Sequence, residues 1–404
     1  MTAGVSRTYS RRRLLLTAAA TIATSRPLEK LARAAALPDV GFRLPSPHRS
    51  GIEHVVWLMM ENRSFDHLLG WVPGADGKQA GLSYLDRDGR AHNTYPLAPD
   101  FQGCGHPDPD HSYEGGRVQF NNGKCDGFLR AGNSDRFAIG YYRQADLPFL
   151  GQAARDWTVC DRYFAAVMAE TFPNRAYAHA AATEGLSDTG KVLSLPTIWD
   201  RLAARHLSGR SYHAHGEPFL GNWGEKYASI IAPHAEFISD CRRGRLPNVA
   251  YVDPPRAGSS VGISGDDHPF GDIRAGESFM NQVYAAVTRS PSWPSTVLVI
   301  TFDEWGGFFD HVPPPEAQDA DPGLKLRGFR VPCVVVSPFA RRRHVAHMVF
   351  DHTSILRMIE WRWGLRPLSV RDRSTNNLAA VLDFSKRRLA APRYHVPTVA
   401  PNRC

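Results

Sequence analysis

Cysteine is scarce. The 404 residues include six, Cys104, Cys125, Cys160, Cys241, Cys333 and Cys404, and no two form a C-x-x-C pair. That spacing excludes a thiolate zinc knuckle but leaves room for a disulfide in an oxidising compartment. Cys104 and Cys125 flank one polar loop and are the expected pair, whereas Cys333 lies in the apolar run 331–336 and reads as packing. Membrane-length apolar runs are also missing: Leu14 to Thr24 is too short to span a bilayer, and nothing later is long and apolar enough. Nor is there a large charge excess beyond the first residues. Arg7, Arg11, Arg12, Arg13, Arg26, Lys30 and Arg33 against Glu29 account for +6 of the formal +8. The rest has no basic footprint for nucleic acid. There is no internal repeat or low-complexity linker.

Ser10-Arg11-Arg12-Arg13, the apolar segment after it and the small residues Ala32, Ala34 and Ala36 read as a twin-arginine export signal over residues 1–36. Residues 37–404 are then one mature domain, folded before passage through the twin-arginine machinery. The expected location is the periplasm, the cell wall or the medium.

The mature chain alternates strand-like and helical patterns. Val55 to Met60 and Thr296 to Phe302 are continuously apolar and end abruptly in polar residues, the signature of buried parallel strands. Val331 to Ser337 is a third such run. Helical patterns cover Leu147 to Asp156, Thr197 to Leu207 and Glu277 to Val287, and Asp351-His352-Thr353-Ser354 offers an N-cap for a helix reaching Trp363. This alternation predicts an α/β fold, a three-layer α/β/α sandwich on a mostly parallel sheet.

Ligands of open α/β sheets bind beyond the carboxyl ends of the strands. Glu61 and Asn62 follow the first strand, and Asp303 and Glu304 follow the second, just before Gly306-Gly307. Such an oxygen-rich set suits one divalent cation, Ca²⁺, Mg²⁺, Mn²⁺ or Zn²⁺. Thr171 precedes Pro173, a residue favoured in the first turn of a helix, so its hydroxyl belongs at a helix N-terminus, as an N-cap, as a nucleophile meeting an anion, or both. His111, His268 and His311 each follow an aspartate and could bind phosphate or protonate a leaving group.

Four motifs, Glu61-Asn62-Arg63-Ser64-Phe65-Asp66, Thr171-x-Pro173-Asn174-Arg175, Asp266-Asp267-His268-Pro269 and Thr301-Phe302-Asp303-Glu304-x-Gly306-Gly307-x-x-Asp310-His311-Val312-Pro313-Pro314, resemble in order those of the bacterial phosphoesterase family. That family includes non-specific phospholipases C and acid phosphatases that blunt the respiratory burst. The resemblance runs from about Ile52 to Leu365. It implies an alkaline-phosphatase-like fold and hydrolysis of phosphate esters through a phospho-enzyme. It also implies Glu61, Asn62, Thr171 and Asp303 as metal ligands, Glu304 as a further ligand or a carboxylate just behind them, and Thr171 as nucleophile. Asn62, His111, His268 and Arg175 would contact the substrate, a phosphoester that includes phospholipid head groups in its range. Two departures stand out. The chain ends soon after the core, without the C-terminal β domains of larger relatives, which weighs against lipid substrates. Glu170 stands where a small residue is expected.

Two further readings keep the same fold. A sulfatase would need Cys or Ser at the position of Thr171 for oxidation to an aldehyde hydrate. A non-enzymatic secreted binding protein would need no nucleophile.

Overall fold

The structure is a computed structural model describing residues 44–188 and 191–404. The expected twin-arginine leader lies outside the described residues. Eight strands form the central sheet: β1 (His54–Met60), β2 (Thr158–Cys160), β3 (Gly209–His213), β4 (Ile231–Pro233), β5 (Val249–Asp253), β6 (Thr296–Phe302), β7 (Cys333–Val336) and β8 (His344–Ala346). Their spatial order is β8-β2-β7-β6-β1-β5-β3-β4. Only β7 is antiparallel, to β6 on one side and β2 on the other.

Every residue of β6 is buried, as are all of β1 except His54. Because successive side chains on a strand point to opposite faces, both faces of the sheet must be covered. The continuous Val, Leu, Ile and Met runs reflect that double burial, and the three-layer α/β/α expectation holds. The register pairs Met60 with Phe302, so β1 and β6 end level with one another. Glu61 and Asp303 therefore emerge side by side.

Eight helices matter for the site and its support: α1 (Phe65–Leu69), α2 (Tyr113–Phe120), α3 (Leu150–Asp156), α4 (Thr171–Ala180), α5 (Ile198–Ala203), α6 (His234–Arg243), α7 (Ile273–Thr288) and α8 (His352–Trp363). In α7, Gly276, Met280, Val283 and Val287 recur at helical spacing and are buried, and the helix packs on β6 and β1. The Asp351 cap on α8 is present: its side chain accepts the Thr353 N–H, and Ser354 Oγ accepts the Asp351 N–H at 3.1 Å. Helix α5 stops at Ala203, short of the expected Leu207, because His206 takes φ 54° and the Leu207 N–H turns back to the Leu202 carbonyl.

The expected Cys104–Cys125 disulfide is corrected. Cys104 is bonded to Cys404, across 300 residues, and ties the C-terminal segment to the polar loop that follows β1. Cys125 is a free, buried thiol packed in a cluster with Tyr84, Phe128, Leu129 and Phe309. No helix among the described residues is long and apolar enough to cross a membrane.

Candidate active site

Three neighbouring strand ends supply carboxylates to one place: Glu61 after β1, Asp253 closing β5 and Asp303 after β6. They meet on a single buried cation. Arg175 donates from Nη2 to Glu61 Oε1 at 2.8 Å, from Nη1 to Asp253 Oδ1 at 3.0 Å and from Nε to Asp303 Oδ2 at 3.0 Å. Its remaining donors reach Tyr251 Oη and the carbonyls of Met59 and Met60. Every guanidinium N–H is thus committed to protein. This corrects the expectation that Arg175 touches substrate: it is the buried counter-ion that gathers the carboxylates, and no donor is left for a ligand.

Arg175 and Thr171 lie four residues apart on α4 and so share one face of the helix. The helix therefore presents the Thr171 hydroxyl to the same carboxylate, and Thr171 Oγ1 donates to Glu61 Oε2 at 3.0 Å. Thr171 is the first helical residue, and the N-cap position belongs to Glu170. The Glu170 carboxylate accepts the Asp188 N–H at 2.6 Å, while Asp188 Oδ1 accepts the Phe172 N–H at 2.7 Å. One amide of the expected anion seat is thereby already taken.

The loop between β1 and β2 brings in Asp108 and His111, and the segment before α7 brings in His268. His268 Nε2 stands 3.5 Å from Asp108 Oδ2, and the two imidazole rings are 6.4 Å apart. His111 Nδ1 bonds the Pro109 carbonyl at 2.8 Å, which leaves Nε2 facing Glu304 Oε1 at 3.9 Å. Burial works against a charged His111, but Glu304 and Asp108 outweigh it and push the ring up to about 10. His311 goes elsewhere. It bonds Asp66 and Asp76 in a network with Arg330 and Asp310, so it does not join His111 and His268.

The electrostatics ask for more positive charge. Burial and the neighbouring Glu61 hold Asp303 well above the usual carboxylate range, and burial pushes Glu304 up to about 8. Glu61 is also penalised by burial, yet Arg256 and Arg175 pull it down to about 2. Both amide atoms of Asn62 and Glu304 Oε1 are buried without a hydrogen-bond partner. Close beside them is Gly306, at φ 61°. A Cβ there would stand 2.0 Å from the Asn62 carbonyl oxygen and 2.8 Å from Asn62 Oδ1, so only glycine lets the chain turn this near. Unpaired buried oxygens on Asn62 and Glu304, next in sequence to Glu61 and Asp303, are a donor set that a hard divalent cation fits. Two groups of acidic and histidine side chains have ligand atoms within 4.8 Å of one another, Asp108 with His111 and His268, and Asp66 with Asp310 and His311, of which the latter already holds Arg330.

Sequence reading missed Asp253, Asp188 and Arg256. Asp253 carried the same signal as Glu61 and Asp303, an apolar run ending in a carboxylate, but Val249–Asp253 is short and Pro254-Pro255 obscures it.

The model of the Phosphoesterase family matches residues 52–366. Phospholipase C B of Mycobacterium tuberculosis is 30% identical over 450 residues, covering 89% of this chain and 85% of that protein. Non-specific phospholipase C1 of Arabidopsis thaliana is 30% identical over 370 residues, covering 79% and 69%. Among solved structures, a protein in the alkaline phosphatase superfamily from Vibrio parahaemolyticus aligns with TM-score 0.41 and 9% identity, over 83% of this chain and 71% of that one. The lipoteichoic acid synthase LtaP from Listeria monocytogenes aligns with TM-score 0.44 and 10% identity, over 82% and 79%.

Proposed function

Starting from the fact that this chain belongs to the phosphoesterase family and is a hydrolase of phosphoric ester bonds, we propose that it acts through a phosphothreonine on Thr171 with the help of one divalent cation. The observation that carries this reading is the 3.0 Å hydrogen bond from Thr171 Oγ1 to Glu61, on the carboxylate that shares Arg175 with Asp303. It supports a nucleophilic role for Thr171 because the first turn of α4 there meets the carboxylate that follows β1.

Glu61, Asn62, Thr171, Asp303 and Glu304 would hold the cation. Bound there, it would acidify the threonine hydroxyl and neutralise phosphate charge. The chain's own groups account for the rest. Glu61 Oε2 orients the Thr171 hydroxyl, whose proton passes to solvent as Oγ1 forms a bond to phosphorus and the ester oxygen opposite departs. His268 or His111, both held around Asp108, gives that oxygen its proton, so the first product leaves as an alcohol. Water then displaces Thr171 from phosphorus; the histidine takes a proton from that water and Oγ1 regains one from solvent, releasing phosphate and the free threonine.

Names of the relatives support a phospholipid head group or a simpler phosphate ester as substrate. The leader motif in residues 1–36 supports export by the twin-arginine route to the periplasm, cell wall or medium. Replacing Thr171 by Ala tests the reading: turnover of p-nitrophenyl phosphate and of its phosphocholine ester should fall by at least about 10³-fold, the scale for loss of a nucleophile. Retention of more than a few per cent of either activity removes Thr171 from the mechanism.

A further inference from the structure

Arg256 is a cation at the centre of the site that the mechanism leaves without a task. It follows β5 in the loop Pro254-Pro255-Arg256, and the loop is fixed: the N–H groups of Arg256 and Ala257 both donate to the His215 carbonyl, at 2.9 and 3.3 Å, and Gly265 N–H donates to the Pro255 carbonyl at 2.9 Å. From this anchored backbone the side chain reaches Glu61, with Nε 2.8 Å from Oε1. The other oxygen of that carboxylate accepts the Thr171 hydroxyl. The guanidinium therefore stands one carboxylate group away from the nucleophile.

Neutralising Glu61 does not explain it. Arg175, wholly buried and with every N–H bonded, already donates to the same Oε1 at 2.8 Å. Arg256 differs in kind: its side chain is 20% exposed against 0% for Arg175. No hydrogen bond from its terminal nitrogens to a protein acceptor is seen among the described residues. Its planar fork of N–H donors, open toward solvent beside a nucleophile, matches two oxygens of one phosphoryl group. Glu61, Asp253 and Asp303 converge beside Thr171, so a phosphate arriving there gains from a cation aimed at its own oxygens.

We propose that Arg256 is a substrate-binding residue whose terminal N–H groups hold the non-bridging oxygens of the phosphoryl group presented to Thr171. The inference rests on the phosphoesterase reading above and adds to it the group that grips the charge transferred.

The test uses the intact protein as purified with its metal, orthophosphate as the probe, and the variants R256Q and R256K. Calorimetry reads orthophosphate affinity, elemental analysis reads metal content, and kcat/KM is taken on p-nitrophenyl phosphate. For R256Q the expected result is phosphate binding weakened at least about tenfold, kcat/KM lowered by about 10²–10³, the scale for losing one donor to a developing oxyanion, and unchanged metal content. R256K should recover part of kcat/KM, because it restores the charge without the fork. Phosphate affinity in R256Q within twofold of wild type overturns the proposal. Loss of metal in step with activity overturns it too, by making Arg256 a support for Glu61. If R256Q does not fold, R256K decides: it must bind phosphate more weakly than wild type. A wild-type protein that binds orthophosphate but hydrolyses no ester would defeat the phosphoesterase mechanism while the phosphate comparison still judges Arg256.

Discussion

Glu277→Gln isolates a single buried proton and lets its contribution be read as a function of pH. Glu277 lies on α7 with no cation against it, and its Oε2 accepts the N–H groups of Phe149, where it is very short, and Leu150, at 2.9 Å. It thereby caps α3, whose own N-cap residue Phe149 has no side chain fit for the task. Its other oxygen is buried without a partner. Burial pushes the carboxyl from 4.5 up to about 8, in spite of the two amides that favour the ionised form. The folded chain then keeps a proton that the unfolded chain has released throughout that interval. The stability contributed by the neutral carboxyl is complete below about pH 4.5 and drains away as pH rises toward 8, at about 1.4 kcal/mol per pH unit. Glutamine can offer its carbonyl to the same two amides and does not titrate. Urea unfolding at pH 5, 6, 7 and 8 should therefore show the variant gaining on wild type by about 3.5 kcal/mol in all between the two ends. Taking the difference between proteins removes the titration of Asp310, Glu304 and other buried carboxyls common to both. Two parallel stability curves would refute the assignment of a buried neutral Glu277.

Arg175→Met leaves Glu61, Asp253 and Asp303 without their shared counter-ion, and should cost about 3–5 kcal/mol in chemical unfolding, with a lower metal content by elemental analysis as the carboxylates lose their geometry. An unchanged unfolding midpoint would show that the three carboxylates are held by something else. His268→Gln should lower kcat far more on an alkyl phosphate than on p-nitrophenyl phosphate, since the better leaving group needs no proton; an equal loss on both substrates removes His268 as the acid.

The parts of this architecture that depend on chain-local physics were visible before any coordinates. Val55–Met60 and Thr296–Phe302 are apolar because both faces of their sheet are covered, and their polar ends mark where a site can form. The cap at Asp351 follows from side chains three residues apart. What depends on distant segments was hidden. Arg175 looked like a substrate ligand because a lone arginine in a motif carries no record of which carboxylates will surround it; packing of α4 against three strand ends decides that its donors are consumed. Cys104 pairs with Cys404 across 300 residues, a closure that spacing cannot reveal. Arg256 sits in a proline-flanked loop with no periodic pattern around it, and its ion pair with Glu61 brings it close to Thr171. His311 shared an Asp-His pattern with His111 and His268, yet Arg330 and Asp66 draw it into a separate buried network. Glu170, out of place in the family pattern, holds the loop at Asp188 against the first turn of α4.

The proposed mechanism requires a covalent bond between phosphorus and one threonine oxygen. Acid quenching of the enzyme during turnover of p-nitrophenyl phosphate, followed by peptide mass spectrometry, should find one phosphoryl group on the peptide carrying Thr171 and none on the Thr171→Ala protein. A phosphoryl group on any other side chain during turnover, or its persistence in that variant, would contradict the mechanism.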